Sequence, residues 1–482
     1  MPLRLTSIAL LAALLLGGLW VTVGNRDLPL VRNSLVYASA SRHVLEHGGD
    51  PRPVVADSAL SYDKPILYAW MSAPFVRAFG SHDGLRITSF LGTVAFLLAV
   101  SWFSRSSSGL LQLATLGPCV FYQFWSAHPD TWFAAIVVVA WGLAERIVAE
   151  PDRNPAGRVV ALGAWIYAAV LFKNYGLVLG ISVPLYLLVH VRSLRASAAA
   201  KKILAAGLGV FAVLGALVVL AKTGHHPLSR LEGEGGGVGQ YGRGVLWTSA
   251  KGTWIQLGIA LLLQLHVALV FAFRRSAWTR GTWAPLLCFG GIYVAGLMPF
   301  PTTFYNMRYF VPLFPLAARI LLRGAESMRA GTRRAVLAAH AVVAIALVGV
   351  FNLAPLYRRA EPAIPALVVD WIGTPLSLLD NLRMPLHLEQ QAVLENIGRQ
   401  VPAGATLYQM DVGYYRDAQH GVFERDGRIR ADIRVEYVSS RSFAPAEATF
   451  YVYVFRGRPA VLDRFGAVTD LGSSLYKVDA GK

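Results

Sequence analysis

Long apolar runs separated by short polar links set the plan of the chain. A helix needs about 20 largely apolar residues to cross a hydrocarbon core. Eleven runs are candidates, near residues 5–23, 85–103, 109–125, 131–149, 158–172, 175–191, 203–221, 253–273, 283–300, 309–323 and 334–353. Several are short, so tilted, broken or merged spans are expected. Placing the N-terminus in the cytoplasm puts Arg105, "ERIVAEPDRNPAGR", "VRSLRASAAAKK", "FRRSAWTR" and "LLRGAESMRAGTRR" inside. Every one of these links is basic or carries Arg, as the excess of Lys and Arg in cytoplasmic loops requires. The first run, "LTSIALLAALLLGGLW", follows Arg4 and has the look of a signal peptide. No small-residue cleavage site follows Trp20, so it reads as a retained first span.

A polar, helix-patterned stretch interrupts this plan after the first span: "VRNSLVYASASRHVLEHGGDP", Val31 to Pro51. Leu35, Ala38, Val44 and Leu45 fall on roughly one helical face, which predicts a helix lying in the membrane interface. A juxtamembrane helix that only closes the bundle is an equally weighted reading. The same external side receives "SAHPD", "FKNYG", the Gly-rich loop "KTGHHPLSRLEGEGGGVGQYGRG", "FPTTFYNMR" and all that follows Phe351. From about residue 354 charged residues run throughout. "LEQQAVLENIGRQV" has a helical pattern, and "ATLYQM", "ADIRVEYV" and "ATFYVYVF" read as strands. The expected division is a transmembrane domain over 1–353, with an external loop at 25–84, and a small α/β domain over 354–482.

Composition agrees: 55% of residues are hydrophobic, 15% are charged and mean hydropathy is +0.47, which makes this an integral membrane protein. The net charge of +17 would suggest nucleic acid in a soluble protein, but here the cations sit in the links and mark orientation instead. Cys119 and Cys288 both lie in apolar runs, and no disulfide is expected.

Charged residues at the external ends of spans are the candidates for chemistry. Tyr62, Asp63 and Lys64 of "YDKP" run straight into a semi-apolar stretch. A lysine at membrane depth is costly unless it meets an anion, either Asp63 or a lipid phosphate; a snorkelling interfacial lysine is the plain alternative. Asp130 follows His128 and opens a span. It is a candidate base, or simply a carboxylate at a favourable helix N-terminus. Lys173 and Arg308 also face outward, against the charge trend, and should answer to local anions. His225, His226, Glu232 and Glu234 leave a divalent metal open, although their spacing fits no strong motif and a solvated Gly-rich loop is the plainer reading. "EGEGGGVGQ" is no phosphate-binding fingerprint, since no Gly-Lys-Ser/Thr ending follows it.

Read in order, "NSLVYASASR", "YDKP", "HPD", "KNYG" and "MRYFVPLFP" resemble the motifs of the GT-C glycosyltransferases. The resemblance spans residues 5–325. It points to the group of protein mannosyltransferases and lipid A aminoarabinose transferases, which use polyprenyl-phosphate sugars. It implies a GT-C-type fold, which suits the mainly α polytopic protein of about eleven spans read from the apolar runs; the small periplasmic α/β domain, read from its own pattern, also fits. It further implies a sugar donor on polyprenyl phosphate and a periplasmic glycan, lipid or protein as acceptor; no cofactor is indicated beyond a possible divalent metal. Tyr37, Arg42, Tyr62, Asp63, Lys64, His128, Lys173, Arg308 and Tyr309 become expected substrate-binding residues, in the inner membrane of a bacterium. One departure stands out. In register with Tyr37, Ala38 and Arg42, the family's catalytic Asp falls on Asn33 and its following Glu on Ser34. Asn cannot take a proton at neutral pH, which leaves Asp27, Asp63 and Asp130 as nearby carboxylates. Two other classes remain: a polysaccharide polymerase or ligase using diphosphate-linked lipids, and a transporter, for which internal repeats and mid-span charges are lacking.

Overall fold

The computed structural model describes residues 5–46 apart from 32, then 66–104, 107–190, 243–297, 307–364, 368–371, 374–377, 384–410, 429–438, 443–445, 447–454 and 460–480, with a few single positions between. Tyr62, Asp63, Lys64 and the Gly-rich loop with its histidines and glutamates lie outside the described residues, as does the side chain of Asn33.

Helices follow the apolar runs: α1 (Leu5–Gly24), α2 (Asn33–Glu46), α3 (Ile66–Phe103), α4 (Ser108–Thr115), α5 (Pro118–Trp125), α6 (Asp130–Ala149), α7 (Pro155–Phe172) and α8 (Leu177–Val189). They continue with α9 (Arg243–Leu265), α10 (Arg280–Pro285), α11 (Ile292–Leu297), α12 (Phe314–Glu326), α13 (Ala330–Asn352), α14 (Ala354–Ala360) and α15 (Met384–Gln400). Among the described residues, six helices are long and apolar enough to cross a membrane. Other expected runs are broken for local reasons. The run at 109–125 splits into α4 and α5 at Gly117–Pro118, because proline cannot continue the preceding helix. The run at 283–300 becomes α10, a π turn and α11, and the one at 309–323 begins as a 3-10 turn over Met307–Leu313. The run at 203–221 falls largely outside the described residues. Conversely, α3 starts well before residue 85 and is interrupted at Gly80, whose φ of 79° suits a residue without Cβ.

Two compact units form. The first comprises Met1–Asn25, Asp63–Tyr68 and Ser89–Leu382; the second comprises Arg26–Tyr62, Ala69–Thr88 and Arg383–Lys482. In the first, α6 and α7 form a hairpin whose turn is set by sequence. Asn154 caps α7 by accepting from Gly157 N (3.3 Å) and Pro155 opens it, while Arg158 Nη1 donates to the terminal carbonyls of Arg146 and Glu150. Cys119 and Cys288 are free and buried.

In the second unit, α2 spends its apolar residues on packing. Leu35, Val36, Tyr37, Ala38 and Ala40 are all buried, whereas Leu45, expected on the same face as Leu35, is exposed. Ser41 Oγ meets Ser72 Oγ of α3 at 2.6 Å. The C-terminal part carries a five-stranded sheet, ordered β4-β3-β5-β7-β6. β3 (Thr406–Met410) lies parallel to β4 (Arg434–Val438) and β5 (Thr449–Val454). β6 (Gly466–Asp470) and β7 (Leu475–Ala480) complete it antiparallel. Tyr408, Phe443, Phe450 and Tyr476 are buried in its core. A short hairpin of β1 (Val368–Trp371) and β2 (Thr374–Ser377) belongs to the first unit.

Candidate functional site

The first unit gathers three of the charged residues singled out by sequence. Asp130 arrives through "SAHPD", a turn in which Ala127 takes a left-handed φ of 59°. Ser89 of α3 staples that turn: its hydroxyl donates to Gln123 O (2.6 Å) and accepts from His128 N (3.3 Å). His128 is fully buried there, and Asp130 becomes the first residue of α6, where the helix dipole favours a carboxylate. Asp130 is only 2% exposed.

Lys173 comes from the neighbouring helix. α7 ends at Phe172, Lys173 N closes it on Ala169 O (2.9 Å), and the chain turns extended at Lys173 itself. Stacking of Trp132 on Phe172, with centroids 5.9 Å apart, pins the start of α6 to the end of α7. The turn "KNYG" needs its glycine, because a Cβ on Gly176 would overlap the backbone of Ala169 and Val170. Arg308 and Tyr309 come from the 3-10 turn over Met307–Leu313, every residue of which is buried.

These side chains meet. Lys173 Nζ forms an ion pair with Asp130 Oδ1, and Arg308 Nε lies 3.3 Å from Asp130 Oδ2. The Tyr309 ring faces both cations, 4.1 Å from Lys173 Nζ and 5.3 Å from the Arg308 guanidinium carbon. Tyr175 packs edge-on against Tyr309, and Tyr293 OH donates to Tyr309 O (2.9 Å). Tyr68, fully buried in the first turn of α3, is close enough to feel the charges of Asp130 and Arg308. Among the described residues, one carboxylate thus faces two cations inside an aromatic wall. The excess of positive charge in a dry site suits an anion.

Of the remaining candidates, Asp27 is exposed, Tyr37 is buried and Arg42 is half-buried, all in the second unit. Ser34, in register with the family's Glu, ties the start of α2: its hydroxyl donates to Val31 O (2.6 Å) and accepts from Val31 N (3.0 Å). Among the described residues no cluster of three His, Cys, Asp or Glu side chains could hold a metal. Tyr68, Tyr175 and Tyr293 were not singled out by sequence. Their one sequence signal is proximity to the charged motifs, Tyr68 four residues after Lys64 and Tyr175 two after Lys173.

No family model matches the chain, and no curated protein matches it. Solved structures do. The crystal structure of ArnT from Cupriavidus metallidurans bound to undecaprenyl phosphate is similar at 15% identity and a TM-score of 0.55, covering 98% of this chain and 97% of that one. The apo ArnT structure from the same organism aligns over the same shares at 15% identity and a TM-score of 0.53. The likeness runs essentially end to end, so the chain shares the fold of these ArnT structures.

Proposed function

We propose that the chain is a membrane glycosyltransferase that moves a sugar from a polyprenyl-phosphate donor to an acceptor on the outer face of a bacterial inner membrane. The observation that carries this reading is the buried cluster of Lys173 and Arg308 around the carboxylate of Asp130. A leaving phosphate needs fixed cations in a dry site, and these two stand where membrane orientation alone would not put them. The ArnT structure with undecaprenyl phosphate, on the same fold, supports the choice of lipid anion. Lys64 would add a third cation.

In this reading the acceptor hydroxyl oxygen attacks the anomeric carbon from the face opposite the phosphate. The bond from that carbon to the phosphate oxygen breaks, and polyprenyl phosphate leaves as an anion stabilised by Lys173 and Arg308. Inversion at the anomeric carbon follows. Asp130 holds the two cations in place, so the hydroxyl proton goes to another carboxylate, with Asp27 and Asp63 as candidates. Asn33 hydrogen-bonds the acceptor without taking the proton. The inner membrane and a periplasmic C-terminal domain belong to the same proposal.

The test is to supply purified protein with a monophosphate-linked sugar and, separately, a diphosphate-linked glycan. Release of polyprenyl monophosphate from the first alone is expected. Turnover of only the diphosphate substrate would move the chain to the polymerase or ligase class.

A further inference from the structure

The loop that joins α1 to α2 is held by more donors than its carbonyls require. Leu28, Leu30 and Val31 are buried, so their backbone groups need partners within the protein. Leu28 O accepts from His82 Nε2 at 2.7 Å and also from Arg86 Nη2. The next carbonyl, Pro29 O, accepts from His387 Nδ1 at 2.7 Å. His82 is itself oriented by Asp83, whose Oδ1 lies 3.1 Å from Nδ1, while Asp83 Oδ2 pairs with Arg26 Nη2 at 2.9 Å. His82, Arg86 and His387 are 7%, 3% and 0% exposed. Burying a guanidinium and two imidazoles is costly, and a well-packed apolar loop would be cheaper. All of these residues belong to the second unit. Helix α3 thus grips one carbonyl and helix α15, more than 350 positions along the chain from Pro29, grips the next.

We infer that His82, Arg86 and His387 form a clamp on the Leu28 and Pro29 carbonyls that sets where α2 begins, and so where Asn33 stands. Asn33 follows Pro29 by four residues, with Val31 and Ser34 locked to each other in the turn between. The clamp residues are positioning residues, and they give α15 a role in setting α2. The catalytic half of this inference rests on the reading that α2 faces the reacting atoms.

Full-length protein in nanodiscs provides the test, with two readouts. His82→Leu and His387→Leu remove the donors. His82→Gln returns a donor near the Nε2 position, and His387→Asn returns one near Nδ1. Backbone hydrogen exchange over residues 27–36 should speed up in both Leu variants and return toward wild type in the Gln and Asn variants. With a polyprenyl-phosphate sugar as donor, the Leu variants should lose on the order of ten- to a hundredfold in kcat, as expected for a displacement near 1 Å. Their donor KM should stay unchanged, because the phosphate is held elsewhere. If a Leu variant does not fold, His387→Gln, whose longer amide overshoots Pro29 O, takes its place with the same expectations. Unchanged exchange over 27–36, or Gln and Asn variants no better than the Leu ones, overturns the clamp. Wild-type protein with no transferase activity overturns the functional reading instead, and the exchange data still decide the clamp.

Discussion

Asp130 changes meaning between sequence and structure. Read alone, a carboxylate at a span end is a candidate base; set between Lys173 and Arg308, it is the counterion of a buried triad. Removing one partner of a buried ion pair leaves an uncompensated charge and costs about 3–5 kcal/mol. Asp130→Asn should therefore lower the melting temperature, and the double variant Asp130→Asn/Lys173→Met should recover part of the loss. An Asp130→Asn protein as stable as wild type would mean that the triad does not hold. Gly176→Ala tests the turn that places Lys173. Its methyl would press on the α7 backbone, and overpacking of this kind costs about 1–3 kcal/mol. Thermal unfolding of the variant should show it. Asn33 offers the opposite kind of test. A well-placed general base contributes on the order of 10²–10⁴-fold, so Asn33→Asp should raise turnover at least about tenfold if Asn33 stands where a base once did. Flat turnover would place the base on another carboxylate.

At the scale of elements, legibility followed the strength of the local pattern. α1, α6, α7 and α13 lie within a few residues of their predicted spans, because long apolar runs leave a helix no alternative in lipid. "LEQQAVLENIGRQV" became α15, and "ATLYQM", "ADIRVEYV" and "ATFYVYVF" became β3, β4 and β5. β6 and β7 carry little signal, since "GAVTD" and "LYKVDA" are short and partly charged, and β7 is fixed by pairing with β5 on one side and β6 on the other. α2 was read as a helix, but its packing was not. Small residues such as Ala40 and Ser41 carry no amphipathic signal, yet they let it lie close to α3. The meeting of Asp130, Lys173 and Arg308 was legible only as a shared membrane face, because their contact depends on how separate helices pack. The sheet makes a pH prediction of its own. Glu447 accepts from Tyr408 OH (2.5 Å) and Thr406 Oγ1 (2.7 Å), and the Tyr408 bond above all holds its carboxyl below the ordinary value of 4.5. A depressed folded value means that the stabilisation is complete above 4.5 and is lost as pH falls through the folded value. Glu447→Gln should flatten the acid limb of the stability profile, and an unchanged limb would show that the two bonds contribute nothing.

For the whole molecule, orientation and charge tell one story. The basic links are expected on one side of the bundle, and two of the cations expected on the other, Lys173 and Arg308, gather around Asp130. Single cysteines at Asp152 and Arg153 in the α6–α7 link should label only from the cytoplasm. A cysteine at Glu395 on the exposed side of α15 should label only from outside. The reverse pattern would put the cluster at the cytoplasmic face and remove the case for an external donor.

The central claim is that Lys173 and Arg308 bind a lipid-linked phosphate. Affinity for undecaprenyl phosphate, measured on wild-type protein and on Lys173→Ala and Arg308→Ala, addresses it most directly. A charge-assisted hydrogen bond contributes about 1.5–3 kcal/mol, so each variant should bind at least about tenfold more weakly. Wild-type affinity in both variants would contradict the account.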